Sequence, residues 1–405
     1  MRSLEAGALA ISASFMVVFP LLPALQDRAS ISTAQLGWIA TAGFVAALVA
    51  QTLVAPHADR GRERLVINGA IVMMAVSTLL FAVGDSIHWF IAGRIGAGLA
   101  YGAFTPAAVG LIVRRFPDSP GRQIGRLQSI ELGGMAIGPV LAVAGKVAFG
   151  VVPTLMIASV LTLVVGLPAL LAKPAAITSL PAETVEHGSL ADGIRLLRHR
   201  SVIAAALVMT AFYIPIGAYD ALFPRFLADI GSSDWLIGAA LMAFAVPSMF
   251  LASWAGRQVD RLGPFRAAAR GGAANIAVIL SYGFVRVPMV IVVIGLFESG
   301  GQTIVGAAGA AAMGWAVPGR RAATAQGIGE ALATVAAALV AAMAAPLYAA
   351  GGAAALFVTT AVLTAAALCG GVRLSRAGVP VEERVVQPTP LTQPVAAAGN
   401  VPAMA

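Results

Sequence analysis

Twelve stretches of about 20 nearly uninterrupted apolar residues, separated by short charged or turn-forming gaps, leave this 405-residue chain few ways to fold. Each is long enough to cross about 30 Å of hydrocarbon as a helix rising 1.5 Å per residue. The spans are expected at 6–26, 36–56, 65–84, 88–113, 124–145 and 150–172, then at 201–222, 236–256, 267–285, 288–313, 323–345 and 351–371. Continuous runs exclude a β-barrel, whose lipid-facing and lumen-facing residues alternate. Composition points the same way: 59% of residues are hydrophobic and 11% charged, with a mean hydropathy of +0.89, far from a soluble domain. No small-residue cleavage site follows Leu25 before Gln26, Asp27 and Arg28, and eleven spans come after it. The first span therefore reads as a retained helix, not a signal peptide.

The charged residues orient the chain. Of its 26 Lys and Arg residues, Arg28, Lys146, Arg225 and Arg286 fall in gaps at one end of the bundle and Arg94 falls inside a span. The remaining 21 collect at the end that carries both termini, which places that end in the cytoplasm of a cell membrane. The net charge of +8 is explained by this bias and forms no basic face for nucleic acid. One cysteine, Cys369, and four scattered histidines, His57, His88, His187 and His199, offer neither a disulfide nor a metal site. No phosphate-cradling glycine loop with its lysine is present, so no cofactor and no ATP-driven step is expected. A membrane enzyme would need convergent catalytic groups at one leaflet, and none is visible.

The two halves repeat. Pro23 and Pro224, Gly37 and Gly238, Asp59 and Asp260, and Arg60 and Arg261 are each separated by 201 positions. Pro120-Gly121-Arg122 returns as Pro318-Gly319-Arg320, and Gln128 as Gln326. The expected organisation is an N-terminal six-helix bundle over 1–172, a cytoplasmic linker over 173–200 with a short amphipathic helix near 190–197, a C-terminal six-helix bundle over 201–372 and a disordered cytoplasmic tail over 373–405. Two units with an even number of spans insert the same way up. That is the arrangement of an all-α carrier with two parallel pseudo-symmetric bundles and a substrate site between them.

Three local patterns sharpen this reading. A tight turn after the second span reads Ala55, Asp59, Arg60, Gly61, Arg62, Arg64; its counterpart in the second half reads Gly256, Asp260, Arg261, Gly263. In the fourth span Arg94 is followed by Gly96, Gly98 and Gly102, with Glu298, Gly300 and Gly306 at the equivalent places of the tenth. The fifth span carries Gly125, Gly134, Gly138 and Pro139. Together these patterns, with Pro20 and Pro23 in the first span, resemble the major facilitator superfamily, and in particular its drug/proton antiporter branch, over essentially the whole chain of spans. The strict turn pattern is kept better in the second half, and the fifth span has Ala142 and Val143 where that branch continues with paired glycine. The resemblance implies a twelve-helix carrier that works as a monomer, moves a small molecule against protons, and uses the helix 4 arginine in proton coupling.

The residues themselves support a coupling role for intramembrane charge. Glu131, Glu298 and Glu330 lie within predicted spans and Asp220 near the end of another, where an ionised group is costly unless paired. Desolvation favours the neutral form of a carboxyl, so such a group takes up a proton from one side and releases it when hydration or a nearby arginine changes. Arg94 is placed either to reach the headgroups or to pair with an acid. The proton-coupling candidates are thus Glu131, Glu298, Glu330, Arg94 and Asp220. Asp59, Arg60, Arg62, Gly256, Asp260, Arg261 and Gly263 are candidates for a conformational latch, in which an aspartate meets a helix end or an arginine near Arg114-Arg115 or Arg320-Arg321.

The spans offer few amide side chains, chiefly Gln51, Asn68, Gln128, Asn275, Gln302 and Gln326, among many Met, Phe, Leu and Val residues. A pliable apolar cavity with a few acids suits amphiphilic, drug-like molecules better than sugars. Import or facilitated passage of a small metabolite is the alternative, and a non-transporting sensor on the same scaffold a further one. If the latch operates, Asp59→Asn lowers transport while membrane abundance, measured by quantitative immunoblot, stays at the wild-type level.

Overall fold

The computed structural model describes residues 1–54, 57–116, 120–172, 194–317 and 322–376. Most of the linker, the start of its expected amphipathic helix, Ala55, Arg320, Arg321 and the tail from Ala377 lie outside the described residues. Among those described, all regular structure is helical.

In the first half the helices are α1 (Arg2–Arg28), α2 (Thr33–Val49), α3 (Glu63–Val83), α4 (Ile87–Arg115), α5 (Pro120–Phe149) and α6 (Val151–Leu170). In the second they are α7 (Arg200–Asp229), α8 (Asp234–Leu262), α9 (Pro264–Tyr282), α10 (Pro288–Ala316) and the long segment Ala322–Ser375. That segment loses helical geometry at Gly351 and Gly352, where Gly352 takes φ +63°, and so forms two helices, α11 (322–350) and α12 (353–375). The expected break at 346–350 is displaced because the helix runs through Pro346 and turns where glycine permits a positive φ. Among the described residues, ten helical segments are long and apolar enough to cross a membrane. The kinked segment that holds α11 and α12 counts once among them, and α9 falls short because Arg266 and Arg270 lie in its first two turns.

Several helices outrun the expected spans. α7 continues past 222 to Asp229 through Pro224, because Phe223, Phe226 and Leu227 are buried against neighbouring helices. Helix starts follow local chemistry: Gln35 Oε1 accepts the Ser32 N–H at 2.8 Å before α2, Ser233 Oγ accepts the Leu236 N–H before α8, and Pro264 and Pro288 open α9 and α10. α2 continues into a π-helical turn at Ala50–Val54, and a second π turn, Ala58–Arg62, leads into α3. Both glycines of the repeated turn pattern have positive φ, +78° at Gly61 and +76° at Gly263, which a side chain would strain.

With little hydrophobic drive between helices inside a bilayer, close approach depends on small residues. A β-carbon on Gly98 of α4 would strike the Gly43 carbonyl of α2, and one on Gly102 would come within 2.5 Å of the Ala47 carbonyl. Gly134 and Gly138 of α5 pack in the same manner on Ala13 and Met16 of α1, and Gly217 of α7 on Ala337 of α11.

The halves meet closely at the end opposite the termini, here called the far end. There Gly37 of α2 lies on Ala341 and Ala345 of α11, and Thr41 Oγ1 donates to the Ala338 carbonyl at 3.3 Å. Gly238 of α8 lies on Val143 of α5, and Lys146 Nζ pairs with Asp234 at 2.6 Å. Arg225 of α7 reaches Asp27 of α1 at 2.9 Å while holding Asp229, which also accepts from Tyr348 at 2.8 Å. Toward the terminal end the same helix pairs part. A β-carbon on Gly133 would be 4.0 Å from Met249, and those on Gly125, Gly256 and Gly327 would meet nothing within 4 Å. Among the described residues the bundle is therefore a V, sealed at the far end and parted toward the end bearing the termini. Gly98→Leu, which forces α4 off α2, is expected to cost about 1 to 3 kcal/mol or more of stability, seen as a lower midpoint in thermal unfolding of the detergent-purified protein.

Candidate functional site

A helix carrying a polar side chain into hydrocarbon must answer it with a partner. The sealed part of the V contains the best example. Arg94, about two turns into α4 from the far end and 5% exposed, forms an ion pair with Asp220 of α7. The pair joins the two halves. On its own side, the Arg94 guanidinium carbon lies 4.6 Å from the Phe15 ring centroid and 4.7 Å from that of Phe19, both on α1. Gly43 makes room for the arginine stem: a β-carbon there would come within 2.9 Å of its Cγ and Nε. An unpaired arginine at the centre of a membrane helix costs about 2.5 to 3.5 kcal/mol on insertion scales, and a desolvated cation–π contact returns up to about 2 kcal/mol. Arg94 thus does not reach the headgroups; it is paired. A small cavity lined by Val18, Phe19, Leu36, Phe81 and the ion pair lies beside it.

One residue before Asp220, Tyr219 donates its hydroxyl to Glu298 of α10, and Tyr282 of α9 donates to the other carboxylate oxygen at 2.6 Å. Glu298 is fully buried. Behind it Tyr219, Phe223, Phe226, Tyr282 and Phe357 form one aromatic cluster. Arg94 and Glu298, equivalent in the repeat, do not meet; each is held by a neighbouring residue of α7.

The other two glutamates lie closer to the mouth of the V. Glu131 of α5, buried, accepts from Thr105 of α4 at 3.1 Å. Glu330 of α11 accepts from Tyr213 of α7 at 2.6 Å. Of the amides singled out in the sequence, Asn275 donates to Gln302 at 2.6 Å, and Gln302 to the Phe212 carbonyl at 2.7 Å, which fastens α9 to α10 and α10 to α7.

The side chains of Asp59 and Arg60 lie outside the described residues, and Arg62 is exposed. Arg114, expected near an aspartate of the opposite half, pairs within its own half with Glu63 at the start of α3, at 3.2 Å, where the helix N-terminus also favours an acid. Asp260 and Arg261 are exposed at the end of α8, and Asp260 has no ion-pair partner among the described residues. This agrees with an open terminal end. In the fifth-helix pattern, Gly134 and Gly138 serve packing on α1, Pro139 lies at the far-end seam near Gly238, and Gly125 faces open space.

The tyrosines were missed in the sequence, although they carried a signal. The chain has 17 Phe but five Tyr. Tyr213, Tyr219, Tyr282 and Tyr348 each donate to a carboxylate. A hydroxyl where phenylalanine would fill the same space marks a polar partner. Because breaking a buried ion pair from one side leaves a bare charge, Asp220→Ala is expected to destabilise by about 3 to 5 kcal/mol and the double change Arg94→Met with Asp220→Leu by clearly less. Denaturant unfolding in mixed micelles compares the two.

Against this geometry, the family model described as Major Facilitator Superfamily matches residues 5–307. The chain is 25% identical over 387 residues to a gentisate transporter of Corynebacterium glutamicum, covering 87% of this chain and 82% of that protein. It is 24% identical over 124 residues to the quinolone resistance protein NorA of Staphylococcus aureus, there covering 30% of this chain and 32% of the relative. In fold it resembles a bacterial homologue of the human lysosomal transporter Spinster, solved in an inward-facing and unoccupied conformation. The TM-score is 0.73 at 14% identity, over 93% of this chain and 96% of that one.

Proposed function

The chain belongs to the Major Facilitator Superfamily, and from that membership we propose that it exports small amphiphilic, drug-like molecules in exchange for protons by alternating access. It is a multi-pass membrane transporter and not an enzyme. In this reading it works as a monomer in the cell membrane with both termini cytoplasmic, so the open end of the V faces the cytoplasm. The bundles over 1–172 and 201–372 are the rocking units, joined by the linker over 173–200.

The observation that carries the proposal is the Arg94–Asp220 pair. It joins the halves in the sealed part of the V, and the residues around it are apolar. Opening the far end draws α4 and α7 apart and separates the pair. A bare carboxylate in that setting is unfavourable, and a protonated one is not. Protonation of Asp220 therefore goes with opening, and re-pairing with Arg94, which expels the proton, goes with closing. Glu298, held by two tyrosines on the same side, and Glu131 and Glu330, nearer the mouth, are further places for a proton on the way to the open end. The similarity to NorA supports efflux, over a third of that relative's length.

A second reading is favoured by the longer match: the gentisate transporter aligns over 82% of its length. Under it the substrate is a small aromatic carboxylate carried with protons by the same Arg94–Asp220 exchange. Both readings are tested in proteoliposomes with an imposed pH gradient, offering a fluorescent lipophilic cation and radiolabelled gentisate in parallel. Gradient-driven movement of the cation supports the exporter, and movement of gentisate replaces it with the metabolite carrier. In either case Asp220→Asn should keep exchange at equal pH and lose at least about tenfold of gradient-driven accumulation, a factor worth 1.4 kcal/mol. Full retention of gradient-driven transport by that variant removes Asp220 from coupling.

A further inference from the structure

Apart from Asp220, the groups that hold the Arg94 guanidinium belong to the N-terminal half. Phe15 and Phe19 stand one turn apart on α1, their ring centroids 5.4 Å from each other, and both lie under the guanidinium carbon within 4.7 Å. Gly43 on α2 leaves the space through which the arginine stem passes. Asp220 lies in the opposite half, and the position equivalent to it in the N-terminal half, at the 201-residue offset, is Phe19. Resting on the alternating-access reading above, this arrangement has a consequence for the state in which the far end opens. Asp220 leaves with its own half, whereas Phe15, Phe19 and Gly43 travel with Arg94.

We propose that Phe15 and Phe19 are positioning residues that hold the Arg94 charge on their rings while the far end is open, in place of the carboxylate that has moved away. A guanidinium is planar and weakly hydrated, and it lies well on aromatic faces. A lysine or a leucine pair in these places would have no such contact. The aromatic pair therefore sets how readily the sealed end opens, and the ion pair sets how firmly it closes. The same cradle keeps Arg94 in position for Asp220 to return to, so its loss slows the cycle in both directions without abolishing substrate binding.

The test is the population of the far-end-open form, read as a distance distribution between spin labels on Asp85→Cys of the N-terminal half and Trp235→Cys of the C-terminal half, in a Cys369→Ala background reconstituted in nanodiscs at fixed pH. Asp220→Asn, which removes the closing partner, is expected to enlarge the open population. Adding Phe15→Leu and Phe19→Leu is expected to shrink it by about tenfold, equivalent to 1.4 kcal/mol. Phe15→Tyr, which keeps a ring face, should leave it within twofold of the parent, and so separates ring electronics from lost packing. An open population unchanged by the two leucines, or equally reduced by Phe15→Tyr, overturns the proposal. So does failure of Asp220→Asn to enlarge the open form, since Asp220 then is not what the rings replace. None of these readouts requires proton-driven flux, so a carrier that proves uncoupled from protons leaves this inference standing or falling by itself.

Discussion

A guanidinium in hydrocarbon has to be answered, and in this protein the answer comes from the other half of the molecule. Arg94 on α4 and Asp220 on α7 form the one buried ion pair described between the two six-helix halves, and the elements around it follow from that need. Gly43 clears a path for the arginine stem, and Phe15 and Phe19 lie under its charge. Asp220 and Tyr219, adjacent on α7, tie the arginine to one side and Glu298 to the other. Six residues earlier Tyr213 reaches Glu330. One helix thus touches three of the ionisable groups that the membrane tolerates least.

Small residues give that helix its setting. Gly217 lets α7 rest on the backbone of α11, Gly98 and Gly102 let α4 rest on α2, and Gly134 and Gly138 let α5 rest on α1. These contacts are within halves and have the closeness of fixed packing. Contacts between halves are of another kind: exposed or half-exposed ion pairs such as Lys146 with Asp234 and Arg225 with Asp27, and two seams of small residues that end before mid-depth. Surface ion pairs are individually weak. A seam built from them and from short apolar contact can separate without unfolding either half, as an alternating-access carrier requires.

The functional groups fall into two depths. Asp220 and Glu298 are enclosed, each held by partners on neighbouring helices, while Glu131 and Glu330 lie nearer the open mouth, held by Thr105 and Tyr213. In the proposed export reading, the chain's many apolar side chains suit a cargo recognised by shape and hydrophobicity.

The sequence by itself determined the spans, the repeat and the class of fold, because a bilayer without water admits few solutions for a long apolar chain and each leaves a mark in length and spacing. It also marked Arg94, Asp220, Glu131, Glu298 and Glu330, since a charge inside such a run stands out against its neighbours. Partnership was not legible. Nothing in the spacing between Arg94 and Asp220 says that they meet. The pairing of Arg114 with Glu63 of its own half left no mark in the spacing either. The tyrosines that serve the carboxylates come from helices distant in sequence, and only their scarcity hinted at them. Those pairings, and the opening of the V at one end, depend on how twelve helices pack. That is decided by contacts of a few tenths of an ångström between small residues, summed over the whole bundle, which tertiary structure alone resolves.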